Sequence, residues 1–151
     1  MDQLETPITL REHTDVDFLI LADFAQAVGG KLYLQGGGWS RFSPPAYPAP
    51  VQFGVGLGVR VPYEETEDRH HVELTMQTAD GADLWRIDAD LETGRPPGSR
   101  GEAQLAILAV SGSAQLQEPG EFVLRASVDG KERKRVSFKA MPTPSGVQQS
   151  A

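Results

Sequence analysis

Apolar residues fall mainly into short runs and period-two alternations along this chain, punctuated by glycine and proline, so the pattern predicts strands joined by turns. Asp17 to Phe42 is the first organised stretch. Phe18 to Ala22 is apolar on both faces, as expected of a strand covered from two sides. Gly29-Gly30 then supplies the positive φ values of a tight hairpin loop, which sets Ala27 opposite Leu32 and Ala25 opposite Leu34. The rival reading puts Asp23 to Gln26 in a turn or short helical bend, because Asp, Ala and Gln are weak strand formers.

From Val51 the alternation is nearly unbroken: Phe53, Val55, Leu57, Val59 and Val61 share one face, and Gln52, Gly54, Gly56, Gly58 and Arg60 share the other. The glycine face is a flat strip of backbone. Either Trp39, delivered by Gly36 to Gly38, or a loop rests on it, or it takes a ligand or a subunit. After Pro62, the residues Glu64, Glu65, Glu67 and Asp68 read as a solvated acidic loop. Asp80-Gly81 marks the next hairpin, and setting Ala79 opposite Ala82 fixes its pairs. Met76–Trp85, Leu74–Ile87 and Val72–Ala89 form a core face; Thr75–Arg86, His71–Asp90 and Arg69–Glu92 form a solvent face. Glu73 opposite Asp88 sets like charges together, with Arg86 placed diagonally to relieve them.

Residues 93–101 form a loop, and EAQLAILAV after them reads as a short buried strand rather than a helix, because Gly101 and Gly112 bound it closely. In the last hairpin, a two-residue loop at Asp129-Gly130 sets Val136 opposite Val123, on the wrong face. A bulged turn ending at Lys131, with Gly130 left-handed, pairs Leu124 with Val136 and Phe122 with Phe138. Residues 1–15 read as a mobile tail in which His13 stands alone, 16–141 as one domain, and 142–151 as a disordered tail. SPPAYPAP, from Ser43 to Pro50, reads as a stiff polyproline-like connection, with its Pro-Pro-Ala-Tyr part of that loop rather than a docking motif.

Composition narrows the function. At 151 residues the chain suits one core. A net charge of −7 disfavours nucleic acid and anionic membrane as partners. Cysteine is absent, which excludes disulfides and thiolate metal sites, and the acidic start lacks a secretory signature; together they lead to an expected cytoplasmic location. No nucleophile elbow, phosphate loop or catalytic constellation is present, so neither catalytic residues nor a cofactor is expected. Glu73, Asp88, Asp90 and Glu92 share a face and are the candidates for a hard cation, weighed against an ordinary solvated acidic face. His70 and His71 project to opposite faces of a strand and cannot share one metal ion. Lys131, Arg133 and Arg135, with Lys134 between, form a basic cluster suited to an acidic partner or to head-to-tail self-association. The expected contact surface is therefore Trp39, Gly54, Gly56 and Gly58 together with Lys131, Arg133 and Arg135.

Three segments carry a resemblance: FLILADFAQAVGGKLYLQGGGW, HHVELTMQTADG and PGEFVLRASVDGKE. Together they resemble a bacterial family of unknown function, DUF6941, over about Asp17 to Ala140. The resemblance implies an all-β domain and supplies no functional residue. The fold expected is an antiparallel two-sheet sandwich of about eight strands, immunoglobulin-like, with a closed barrel as the alternative. The function expected is a non-catalytic interaction or assembly module with an unidentified protein partner or a second copy. The alternative is a small-molecule or divalent-cation binding domain.

Overall fold

A computed structural model describes residues 12–144. Ten strands occupy them: β1 (Asp15–Ala22), β2 (Phe24–Val28), β3 (Lys31–Gln35), β4 (Arg41–Phe42), β5 (Ala49–Val61), β6 (His70–Thr78), β7 (Asp83–Leu91), β8 (Gln104–Leu116), β9 (Gly120–Val128) and β10 (Lys131–Ala140). They form a three-stranded sheet in the order β1-β5-β8, a five-stranded sheet in the order β4-β10-β9-β6-β7, and the β2-β3 hairpin. Pairing is antiparallel except where the short β4 runs parallel to β10. Both larger sheets are open, so the fold is a sandwich and not a barrel.

The period-two alternation builds the core. Val55, Leu57, Val59 and Val61 of β5 meet Val72, Leu74 and Met76 of β6 and Leu124, Ala126 and Val128 of β9 in one buried cluster. In β1 a bulge at Asp17 lets Val16 and Leu19 face inward together, and frees Asp17 to accept from Arg60 Nε at 2.8 Å.

The hairpin registers expected from the sequence are present, with one bulge displaced in the last hairpin and one not expected in β6-β7, where Ala79 does not pair with Ala82. Ala25–Leu34 and Ala27–Leu32 pair as expected, which removes the turn reading of Asp23 to Gln26. The core and solvent pairs of β6 and β7 are as expected, but the register slips by one residue between Met76 and Gln77 and the turn closes from Thr78 to Ala82. In the last hairpin Leu124–Val136 and Phe122–Phe138 pair, yet the loop is the two-residue Asp129-Gly130 turn, both residues at positive φ. The extra residue is Arg133 in the strand rather than one in the turn.

The N-terminal boundary also moves. Thr14 is buried and His13 lies 3.2 Å from Glu65, so the chain is anchored before β1 begins. The remainder of the expected tails, residues 1–11 and 145–151, lies outside the described residues. SPPAYPAP is less extended than expected: it bends before β5, and Pro50 already joins the ladder opposite Gln115. Tyr47 is half-buried and donates its hydroxyl to the Met141 carbonyl, so the Pro-Pro-Ala-Tyr segment is built into the fold.

The sheets differ in width, and that difference shapes one flank. Five strands face three, so β7 overhangs: Ile87 is 39% exposed and Ala89 is open, although both sit at inner positions of their strand.

Candidate contact surface

The sequence-derived surface does not assemble. The glycine strip is occupied: Cβ atoms at Gly54, Gly56 and Gly58 would meet the Phe24–Ala25 backbone, the Leu32 side chain and the Phe18 ring, each within 3 Å. The β2-β3 hairpin and Phe18 are thus the cover, and the ligand reading fails for lack of space. Trp39 is not the cover either. It packs edge-on against Phe138 of β10, with ring centroids 5.2 Å apart, and belongs to the rim of the core.

The basic cluster is divided. Arg135 faces Arg125 across the ladder, and Glu132 accepts from both, at 2.6 and 2.8 Å. Burial raises the Glu132 carboxyl, but the two guanidinium bonds outweigh it and hold it below the usual range. Arg133 is half-buried at its bulge, and Lys131 stands exposed by the turn.

The acidic face is likewise spent within the fold. Arg86 pairs with Glu73 and lies 3.9 Å from Asp88; His71 bridges Asp88 at 3.3 Å and Asp90 at 3.1 Å; Arg69 is 4.0 Å from Glu92. Among the described residues no group of three or more His, Asp or Glu side chains is placed to hold a metal ion. Glu73, Asp88, Asp90 and Glu92 therefore converge on cationic side chains and not on a common cation point. Hydrogen bonding to Asp90 raises the exposed His71 above its ordinary value; desolvation opposes it, and the charges of Asp88 and Asp90 assist.

Two features escaped the sequence reading. One is a corner built from three separate stretches of the chain, around Thr14, Glu65 to His70, and Asp129. Glu65 Oε1 accepts from the Thr14 N–H at 2.9 Å and from its hydroxyl at 2.7 Å. His70, 3% exposed, sets Nδ1 2.9 Å from Asp129 Oδ2 and Nε2 2.8 Å from the Glu65 carbonyl. Both partners are acceptors, an arrangement that suits a ring donating from both nitrogens. Burial lowers its pKa, but the Asp129 bond, the Glu65 carbonyl and the two carboxylate charges more than reverse that and raise it. Burial raises the Glu65 and Asp129 carboxyls, but the Thr14 and His13 bonds to Glu65 and the His70 and His71 bonds to Asp129 outweigh it and hold both below the usual carboxylate range. Asp129, His70 and Thr14 stand in the order of a catalytic triad, with Thr14 Oγ1 3.4 Å from His70 Nε2. The hydroxyl is buried and donates to Glu65 rather than to His70, so the hydrogen-bond order of a triad is not completed and the contacts tie the corner together. The sequence disguised it, because Glu65 looked like one of a solvated acidic run.

The other feature is the edge formed by β8. One side of the strand pairs with β5 along its whole length; among the described residues no hydrogen bond reaches its other side. No charged residue lies between Glu102 and Glu118, so this thirteen-residue edge lacks the charges, prolines and bulges that normally deter pairing. Leu105 on it is 44% exposed. Beside it, an apolar crevice of about 100 Å³ runs between Ile87 and Ala89 of β7 and Leu108 and Val110 of β8. Further along, a shallow cleft of about 570 Å³ lies between Phe24 at the foot of the hairpin, Trp85, and the two serines Ser111 and Ser113. The exposed large apolar side chains, Phe24, Val28, Tyr33, Ile87 and Leu105, all belong to the hairpin, β7 or β8. The signal available in the sequence was the uncharged run, which reads equally well as a buried strand.

No match to a curated protein was found. Residues 17–141, from the bulge of β1 to the residue after β10, match the model of a family of unknown function, and the chain accordingly belongs to that family, DUF6941.

Proposed function

We propose that this domain is a non-catalytic interaction module whose contact side is the β8 edge with the adjoining β2-β3 hairpin. The observation that carries the reading is the uncharged backbone edge of β8, unpaired among the described residues, since such an edge is a template for an added strand. The Phe24–Trp85 cleft at one end receives a partner's side chain, and the crevice at Ile87 receives its apolar face. An immunoglobulin-like sandwich is the fold type this reading adopts, supported by two open, unequal sheets of mainly antiparallel strands. The lack of cysteine supports action in a reducing compartment.

Site-specific photocrosslinking in living cells tests the reading. A photoreactive residue at Leu105 is expected to give discrete protein adducts, and the same residue at Asp88, on the charged outer face of β7, is expected to give none. Equal labelling at both positions, or none at Leu105, refutes it. Calcium titration by calorimetry addresses the cation alternative: no stoichiometric heat is expected, and a heat removed by Asp88→Ala with Asp90→Ala would restore that alternative.

A further inference from the structure

We infer that the occupant of the β8 edge is a second copy of the same chain, added as an antiparallel β8 strand across a two-fold axis at Ala109. This rests on the reading of β8 as the contact side and adds the identity of the partner. Three observations point to self-pairing. First, the strand carries no charge, so two molecules of net charge −7 meet there without like charges opposed along the ladder. Second, the narrow sheet is short of cover for its wide neighbour: Ile87 and Ala89 overhang, and one more strand on the β8 side supplies it. β8 itself has the inner face this requires, because Ala106, Leu108 and Val110 lie opposite the buried Val59, Leu57 and Val55 in the ladder. Third, the ends of the strand are complementary in this register. An axis at Ala109 sets Leu108 opposite Val110 and Ile107 opposite Ser111, and brings Arg100, just before the strand, toward Glu118 of the second copy. An axis at Val110 would instead bring Glu102 toward Glu118. The resulting interface is isologous, and it joins two three-stranded sheets into one continuous six-stranded sheet.

The axis makes the test specific, because residue 109 faces itself. Ala109→Lys and Ala109→Glu each place like charges together, while their mixture places opposite charges together. Sedimentation equilibrium of the full chain is expected to show a dimer whose fraction grows with concentration. Each variant alone should weaken it at least tenfold, and an equimolar mixture should recover heterodimer. Far-ultraviolet circular dichroism identifies any variant that fails to fold. Ala109→Cys supplies a second readout, since the chain has no other cysteine and mild oxidation should yield a disulfide-linked dimer. A wild-type monomer up to about 1 mM overturns the inference, as does a dimer indifferent to both charges, or the absence of the disulfide. The Leu105 crosslink separates the two levels. An adduct of twice the chain mass supports the second copy. Adducts of other masses only leave β8 as the contact side and sink self-pairing, and no adduct sinks both.

Discussion

The His70 corner and the β8 edge are opposites in how they treat polar groups. At the corner, the buried Thr14 and His70 find hydrogen-bond partners in the half-buried Glu65 and the exposed Asp129, so three separate stretches of the chain are tied together. Along β8, half the backbone donors and acceptors have no partner among the described residues, and the strand supplies neither charge nor proline to deter one. The contrast separates the place where the fold ties its polar groups together from the place that, on the proposed reading, is left for association. Substitutions at the corner should cost folding energy without changing contacts; substitutions at the edge should do the reverse.

The largest effect is expected from His70→Ala, which removes two charge-assisted hydrogen bonds and leaves the Glu65 carbonyl without its donor. Denaturant unfolding should show a loss of about 3 kcal/mol. Next comes the pH dependence of that stability. His70 titrates higher folded than unfolded, so its contribution is complete below the unfolded value, roughly pH 6.5, and is lost as pH rises through the higher folded value. Glu65 and Asp129 titrate lower when folded. Their contributions are present above about pH 4 and are lost as pH falls through the lowered values. Thermal unfolding should therefore peak in mildly acidic solution, and His70→Ala should flatten the alkaline flank down to what the exposed His71 contributes. A flank unchanged by the substitution would break the corner account. Thr14→Ala, which removes the hydroxyl bond to Glu65 but keeps the backbone one, should cost about 1 kcal/mol. Smallest in stability is Leu105→Lys at the edge, expected within about 0.5 kcal/mol of wild type while measurably weakening association. A large folding loss there would mean that β8 is an ordinary core strand and would dissolve the comparison.

The sheet registers were legible because turn chemistry and alternation agree locally: Gly29-Gly30 set Ala27 opposite Leu32, and core parity alone required Phe122 to meet Phe138. Bulge positions were not. Parity demands one extra residue somewhere in the last hairpin, and it is equally satisfied by a bulge in the turn or at Arg133. The glycine strip was legible as a close approach, but its cover was not, because the hairpin that fills it lies separated in sequence and Trp39 was the more conspicuous ring. The corner was hidden because Thr14, Glu65, His70 and Asp129 share no local pattern. The open edge was hidden because a strand's place in the sheet order comes from topology. An apolar run such as Leu105 to Val110 looks the same at the centre of a sheet and at its margin.

Residue-resolved amide hydrogen exchange of the wild-type chain, dilute and then concentrated, tests the central claim most directly, because strand addition protects the amides that point away from β5 and few others. The account predicts that alternate amides of β8 between Gln104 and Ala114 slow on concentration, while those of β7, an edge strand of the wide sheet, keep their rates. Protection that appears in β7 instead, or in neither strand, would contradict it.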